Sequence, residues 1–406
     1  MKSESAPGLN PIENMSSFII AGCRTPIGKL LGGLSSLTAP QLGSVAIAES
    51  LRRANVAPSQ VDEVIFGNVL QAGVGQAPAR QAALGAGLPT SIAAVTINKV
   101  CGSGLKAIMM ADQAIRAGDS HCIVAGGMES MSRAPHLLMG VRNGWKFGNQ
   151  QALDAMVHDG LWCPFEQHAM GSAADYIAAK YDVSRGDQDA WALESHRRAI
   201  TAYHKFRFRD ETVAVSVKTG REQIDVTRDA GPREDASLEG LSKLRPAFSD
   251  SGTVTAGNAS QISDGAASVV VIDDLTLKSL APANAFRIVA SATSGVAPKE
   301  IFIAPVTAVQ ACLAKAKLGI GDVDLYEINE AFASQTLACA RELNIDESKL
   351  NVNGGAIALG HPIGASGARV VVTLMHALID RGLNRGLATL CLGGGNAVAM
   401  LIERIR

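Results

Sequence analysis

The sequence predicts an α/β fold in which helices cover the faces of buried sheets. Short apolar runs of strand length alternate along the chain with longer amphipathic segments. An apolar fraction of 47% against a charged fraction of 18% provides the nonpolar surface for large cores in a chain of 406 residues. The same order of elements also occurs twice, which indicates two similar halves.

The predicted elements follow from hydrophobic periodicity. Strands are predicted where runs are short, apolar and rich in Val, Ile or Phe, at residues 18–21, 64–66, 123–125, 268–272, 325–328 and 388–391. Helices are predicted where apolar residues recur every three to four positions, at residues 41–54, 104–117, 307–316, 330–342 and 365–381.

The repeat appears in two glycine-rich helix starts. Ser103-Gly-Leu-Lys opens a helix that leads to a strand and then Gly126-Gly127; Ser366-Gly-Ala-Arg opens a helix that leads to a strand and then Gly393-Gly-Gly. We expect an N-terminal half at residues 16–280 and a C-terminal half at 282–406. Residues 131–261 read as an insertion in the first half, because all three tryptophans lie there and strand-like runs are scarce.

Composition excludes several classes of function. A net charge of −1 gives no global field to attract nucleic acid. Seven cysteines without a C-x-x-C pair predict neither a disulfide framework nor a structural metal site. No apolar run reaches the length of a membrane span, and residues 1–17 are polar, unlike a targeting peptide. We expect a cytoplasmic protein that needs no cofactor or metal and binds neither nucleic acid nor membrane.

Cys101 lies between a predicted strand and a glycine-rich helix start. A helix N-terminus favours a thiolate, and Gly102 and Gly104 allow close approach of a substrate. The alternative is a buried, inert cysteine, the commonest state of this residue. A dinucleotide-binding fingerprint also fits residues 102–107, but the next strand does not end in the acidic residue that such a motif requires.

Three further candidate residues lie in the predicted second half. His361 lies in a segment with five glycines, where an imidazole can take a proton from a thiol; its alternative is a structural histidine. Asn329 precedes a helix, where it can cap the helix or orient a carbonyl. Cys391 ends a strand before three glycines whose N–H groups can form an oxyanion pocket, although alone it would read as core.

Taken together, these motifs resemble the thiolase family from about residue 18 to the C-terminus. Eight motifs in family order carry the resemblance, at residues 98–107, 124–130, 244–248, 253–260, 264–267, 329–332, 353–367 and 391–395. It implies a thiolase fold: two similar βαβ halves in a layered αβαβα core, with an inserted loop domain.

The resemblance also implies the roles of the site residues. Cys101 is implied as the nucleophile that accepts the acyl group, His361 as its base, and Cys391 as the acid/base at the substrate α-carbon. Asn329, through a water, forms one oxyanion hole with His361, and the N–H groups of Cys101 and Gly393 form the other. The residues implied in coenzyme A binding are Arg233, Ser260, Met170, Phe248, Ala331 and Phe332.

The expected reaction is the reversible Claisen condensation of two acetyl-CoA molecules to acetoacetyl-CoA and coenzyme A, by a homotetramer. The loop domain favours this subtype but departs from it at Ala169, where a histidine is usual, and at Gly240, where a serine is usual. The alternatives are a 3-ketoacyl-CoA thiolase of β-oxidation, a ketoacyl synthase of the same broad fold, and a non-catalytic acyl-CoA-binding protein. A ketoacyl synthase would give Cys391 no role.

Overall fold

The main sheet is one continuous path of nine strands in a computed structural model that describes residues 15–405. In chain order these strands are β1 (Ser17–Arg24), β2 (Glu63–Gly67), β3 (Ala93–Ile97), β4 (Cys122–Ser130), β5 (Ser263–Asp273), β6 (Phe286–Gly295), β7 (Leu325–Ile328), β8 (Arg385–Leu392) and β9 (Asn396–Arg404). A two-residue strand, Gly28–Lys29, pairs with β5 beside this path.

Eleven α-helices lie within the described residues: α1 (Ala39–Ala54), α2 (Pro78–Gly85), α3 (Ser103–Ala117), α4 (Met170–Lys180), α5 (Arg185–His204), α6 (Leu238–Ser242), α7 (Asp274–Leu280), α8 (Ala304–Ala316), α9 (Ala333–Leu343), α10 (Ala356–Leu359) and α11 (Ser366–Arg381). Short 3₁₀ turns cover Pro58–Gln60, Met131–Arg133, Val141–Asn143, Pro298–Ile303, Ile320–Asp322 and Glu347–Lys349, and a π turn covers Met156–Leu161.

Each predicted strand falls inside an observed one, and all five predicted helices agree with observed helices to within three residues at each end. Local sequence explains where α1 begins, because Thr38 accepts a hydrogen bond from the Gln41 N–H and the Gln41 side chain bonds back to the Thr38 N–H. The expectation that no targeting segment precedes the fold concerns residues that lie largely outside the described range. Within that range, no helix has both the length and the apolar character that a membrane crossing requires.

The two halves of the sheet share one topology, which confirms the predicted duplication. The first half has the order β3-β2-β4-β5-β1 and the second has β7-β8-β9-β6, and the halves meet where β1 pairs with β6. In each half a parallel pair, β2 with β4 or β7 with β8, is followed by antiparallel strands. An isolated parallel bridge from Leu350 to Tyr326 takes the place that β3 has beside β2.

Five layers result, as the resemblance to the thiolase family implies. Helices α1 and α2 cover the outer face of the first half, and α8 and α9 cover that of the second. Between the halves lie α3 and α11, whose apolar residues share one core with strands of both halves. Each central helix therefore contacts both halves of the sheet, and the loops that precede α3 and α11 lie next to each other.

The insertion runs from the end of β4 to the start of β5. It holds α4, α5 and α6, and α5 packs against α9 and α10 of the second half. The prediction that strands are scarce there is wrong in part: three short antiparallel pairs form, namely His136–Leu138 with Ala152–Asp154, Trp162–Cys163 with His168–Ala169, and Val215–Thr219 with Glu222–Val226. Such two-stranded pairs are too short for periodicity to reveal. The domain limits 16–280 and 282–406 remain a proposal.

The central layer depends on two glycines at the starts of α3 and α11. A Cβ on Gly104 would lie 2.6 Å from the Ala368 nitrogen, and a Cβ on Gly367 would overlap the Leu105 nitrogen. The two helix backbones therefore meet without intervening side chains.

We expect Gly367→Ala to lower the stability of the folded protein by about 1–3 kcal/mol, because the backbone of α3 would have to move. Thermal unfolding monitored by circular dichroism measures this change. Gly321→Ala is the matched control, since nothing lies within 4 Å of its added Cβ, and it should stay within about 0.5 kcal/mol of the parent. Equal melting temperatures for both variants would contradict this account of the central layer.

Candidate active site

The turn that carries Cys101 is strained and tightly bonded. Val100 has a φ of 46°, in the left-handed region that β-branched residues avoid. Ser103 Oγ accepts a hydrogen bond from the Lys99 N–H at 2.8 Å and donates to the Val100 carbonyl at 2.7 Å. The Val100 N–H donates to Asn98 Oδ1 at 2.9 Å. This turn presents Cys101 as the one cysteine of the seven that is not buried.

Although Cys101 is half-buried as a residue, the atoms packed around its thiol desolvate that group and raise its pKa to about 12. The helix start was expected to favour the thiolate, and the burial of the thiol opposes that effect. Desolvation outweighs the opposing hydrogen bonds of the Cys101 and Gly393 N–H groups, and the Glu129 carboxylate adds to the rise. The same two N–H groups nevertheless converge on the thiol, where sequence reasoning placed an oxyanion hole.

His361 is buried and its hydrogen bonds fix one tautomer. Its Nδ1 lies 2.6 Å from Ser366 Oγ, and that hydroxyl donates its only hydrogen to the Pro362 carbonyl at 2.9 Å. The bond network therefore assigns the imidazole hydrogen to Nδ1 and leaves a lone pair on Nε2. Asn329 Nδ2 lies 3.4 Å from Nε2, where the amide can donate a hydrogen bond to the Nε2 lone pair. Burial, aided by the Arg369 charge, lowers the pKa of His361 to about 3, so the ring is neutral at physiological pH.

Asn329 does not cap a helix. The helix predicted at 330–342 begins at Ala333, and Phe332 before it is extended, with φ −147° and ψ 151°. The Asn329 N–H donates to the Thr389 carbonyl at 3.0 Å, and the Glu330 carboxylate bonds to the insertion. These long-range bonds hold both residues out of the helix, which local periodicity could not reveal.

Cys391 lies at the end of β8 with 2% of its surface exposed. Burial raises its pKa well above the ordinary value, and its interaction with the Cys101 thiol adds to that rise. Gly394 and Gly395, with φ of 81° and 83°, allow the turn that brings the Gly393 N–H toward Cys101. Cys391 and Gly393, which belong to one predicted motif, thus lie beside the thiol of Cys101, which belongs to another.

An apolar cavity of about 270 Å³ lies beside His361. The predicted residues Met170, Phe248, Ser260 and Phe332 line it. Its other walls come from residues without a predicted role, including Met131, Leu161 and Ile363, and Cys101 packs against Met131 and Ile363. Predicted Ala331 lies behind the wall, where its carbonyl accepts a hydrogen bond from the Ser260 N–H at 3.0 Å.

Arg233 lines a second cavity of about 220 Å³, together with Gly240. Gln261 lines both cavities, so they lie next to each other. The Arg233 N–H donates to His196 Nδ1 at 3.2 Å, which fixes the backbone while the side chain stays exposed. Among residues 15–405 no group of three His, Cys, Asp or Glu side chains is arranged to hold a metal ion.

Sequence reasoning missed three polar residues of the site. Ser366 fixes the His361 tautomer, while Glu129 and Glu330 bond the segments around it. All three lie in motifs that the sequence singled out. Their partners are distant in the chain or depend on a turn, so no local signal gave their roles.

Comparison with known proteins decides the family. The thiolase N-terminal domain model matches residues 17–274, and the thiolase C-terminal domain model matches residues 283–404. The chain belongs to the thiolase family. As a thiolase it is an acyltransferase, and its αβαβα layers agree with that membership.

Similar proteins cover nearly the whole thiolase chain. It is 49% identical to a probable acetyl-CoA acetyltransferase of Escherichia coli K12, over 96% of this chain and 100% of that protein. It is 50% identical to an acetyl-CoA acetyltransferase of Chromobacterium violaceum, over 96% and 100%. The crystal structure of the Bacillus anthracis acetyl-CoA acetyltransferase superposes with a TM-score of 0.95 at 40% identity, over 96% of this chain and 99% of that one.

Limiting iodoacetamide should label Cys101 before the six buried cysteines. Because its pKa is raised to about 12, the labelling rate should climb about tenfold for each pH unit and show no plateau between about pH 6 and 9. Peptide mapping against pH measures both effects. Protection by acetyl-CoA should be seen throughout, and a plateau below pH 8 would instead reveal a thiolate–imidazolium pair.

Proposed function

We propose that this thiolase is an acetyl-CoA C-acetyltransferase, which condenses two acetyl-CoA molecules reversibly to acetoacetyl-CoA and coenzyme A through an acyl-cysteine. The observation that carries the proposal is the convergence of the Gly393 N–H and Cys391 on Cys101, the one cysteine that is not buried. The names of the full-length relatives support the acetyl-CoA subtype.

The first step is acylation of Cys101. His361 Nε2 takes the thiol proton while Sγ attacks the thioester carbonyl, and the departing coenzyme A thiolate takes the proton of Cys391. A neutral imidazole suits this role, since its lone pair is free at physiological pH. The N–H groups of Cys101 and Gly393 stabilise the oxyanion.

The second step forms the carbon–carbon bond. The Cys391 thiolate takes a proton from the α-carbon of a second acetyl-CoA, whose enolate oxygen Asn329 and His361 stabilise. The carbanion attacks the acyl group, and Cys101 leaves and regains its proton from His361. All protons balance, and the reverse sequence is thiolysis. Because the acyl group is already held on Cys101, this step is effectively unimolecular.

We assign coenzyme A to these two neighbouring cavities. Met170, Phe248, Ser260 and Phe332 line the apolar cavity, which suits the pantetheine arm, with Ala331 supporting Ser260 from behind. Arg233 in the second cavity suits the phosphates, since a net charge of −1 leaves recognition of a polyanion to local cations.

A longer-chain 3-ketoacyl-CoA thiolase is the rival. Ala169 lines the apolar cavity where related short-chain enzymes usually have histidine, which leaves more space beside Met170. Thiolysis assays with 3-ketoacyl-CoA of increasing chain length distinguish the two, since our proposal expects the highest kcat/KM with acetoacetyl-CoA. A purified protein without turnover on any chain length would favour the non-catalytic acyl-CoA-binding alternative.

Cys391→Ser should still form the acyl-enzyme but lose turnover by about 100-fold or more in both directions, because serine is a poor acid/base near neutral pH. Intact-protein mass after exposure to acetyl-CoA measures acylation, and absorbance of the 3-ketoacyl thioester measures turnover. Cys101→Ser should lose acylation as well. The matched control is Cys312→Ser, a buried cysteine on α8 that should keep both activities. Near-normal turnover in Cys391→Ser would refute the two-cysteine mechanism.

The assembly that we propose is a homotetramer in the cytoplasm, where reducing conditions protect a catalytic thiol. The support is the segment between His136–Leu138 and Ala152–Asp154, which exposes a cluster of large apolar side chains. Its exposed members are Leu138, Met139, Val141, Trp145 and Phe147. A contact between copies would remove this surface from water.

Replacing Trp145 and Phe147 together by serine should convert the tetramer to dimers, because the exposed apolar contact is lost. Light scattering at micromolar protein measures the mass. The control is Phe206→Ser, which removes another exposed phenylalanine, on a different surface, and should leave the tetramer intact. A parent protein that is a monomer would contradict the proposed assembly.

A further inference from the structure

Glu129 is a fully buried carboxylate at the end of β4 that the reaction steps above do not use. It accepts hydrogen bonds from Asn68 Nδ2 at 2.7 Å, from the Val69 N–H at 3.1 Å and from the Leu70 N–H at 3.2 Å. It also accepts from the Gly364 N–H at 2.9 Å. One carboxylate thus joins a loop of the first half to the His361 segment of the second.

Glu330 does the same at the other end of that segment. Its carboxylate accepts from Ser195 Oγ at 2.7 Å, Asn351 Nδ2 at 3.0 Å, Trp191 Nε1 at 3.1 Å and the Ile357 N–H at 3.2 Å. The bonds to Trp191 and Ser195 tie the segment to α5 of the insertion. His361 therefore lies between two anchored residues, Ile357 and Gly364.

Two glycines let the backbone reach the carboxylates. A Cβ on Gly364 would lie 2.8 Å from Glu129 Oε2, and a Cβ on Gly355 would overlap the Glu330 carboxylate. Side chains at these positions would push the segment away from its anchors. The glycine-rich composition of the His361 segment thus has a packing reason at both ends.

Stability alone does not account for the carboxylates. Their partners in the described part of the chain are N–H and O–H groups rather than cations. A buried carboxylate without a cation is costly to desolvate, and an apolar side chain would stabilise a core better. Burial raises the pKa of Glu129 to about 7, and its charge in turn raises the pKa of Cys101. Glu129 therefore acts on the thiol and on the segment that carries the base.

We propose that Glu129 is a positioning residue which, with Glu330, holds His361 in register with Cys101. The proposal rests on the acyl-transfer function, because it assigns the two carboxylates a role in aligning the base with the nucleophile. A displacement of about 1 Å at such a site can reduce the rate about 100-fold.

The test is Glu129→Gln in the full-length protein, compared with Glu211→Gln. The amide keeps the size of the side chain but offers one acceptor oxygen in place of two. Glu211 is equally buried, bonds to Arg24 and Thr373, and has no assigned part in the site, so it controls for lost stability. We expect kcat of Glu129→Gln to fall about 100-fold while KM for acetyl-CoA stays within about threefold, because the coenzyme A cavities are untouched.

Alkylation of Cys101 should become faster in Glu129→Gln, whereas turnover becomes slower. At about pH 8.5 Glu129 is ionised in the parent, so removal of its charge lowers the pKa of the thiol and speeds labelling by iodoacetamide. A variant that had merely loosened would instead label the buried cysteines. Faster labelling of Cys101 with slower turnover is the expected signature.

Three results would overturn the proposal: kcat of folded Glu129→Gln within about twofold of the parent, slower labelling of Cys101, or an equal loss of kcat in Glu211→Gln. If Glu129→Gln does not fold, Gly364→Ala decides, since it keeps the carboxylate but displaces the N–H that bonds to it; a parent-like kcat there overturns the proposal. If the parent protein does not transfer acetyl groups, the proposed function is refuted instead. The comparison of Cys101 labelling rates between the parent and Glu129→Gln can still be made in that case.

Discussion

The contact on which the rest of the structure depends is the crossing of two helix starts between the halves of the sheet. Gly104 on α3 and Gly367 on α11 bring the backbones together with no room for a Cβ. Cys101 precedes one of these helices and His361 the other. The same close approach that completes the central layer therefore places a nucleophile from one half near a base from the other. The same contact thus completes the packing of the central layer and places the site residues, because each half of the duplicated fold has a glycine-rich helix start.

The electrostatics of the site are those of neutral groups in a dry pocket. Burial raises the pKa values of both cysteines and lowers that of His361, which favours the neutral thiol and imidazole over a thiolate–imidazolium pair in the resting protein. Charge develops only when an acyl group arrives, and preformed N–H groups then stabilise it without reorganisation. A resting thiol also reacts less readily with oxidants than a thiolate. The Cys101 thiol is therefore less reactive at rest, and the site stabilises charge that forms during the reaction.

The insertion has two roles. Its apolar and basic residues line the two cavities beside His361 and Arg233, and α5 bonds to Glu330 and so to the segment of His361. The walls of the cavities and the hydrogen bonds that support the His361 segment thus come from one insertion, between β4 and β5. The buried bonds of Ser195 and Trp191 explain why this excursion packs on the second half rather than extending into solvent.

The sequence by itself determined the α/β class, the duplicated halves, the predicted strands of the main sheet and the five predicted helices, because apolar periodicity is a local property. Its motifs also identified the family. Tertiary structure decided what depends on distant partners. Asn329 and Glu330 stay outside α9, since their bonds reach β8 and α5. Burial reversed the pKa shift that a helix start predicts for Cys101. Glu129 gained its role from bonds to Asn68 and Gly364, which lie 61 and 235 positions away in the chain, and no local pattern can specify contacts over such separations.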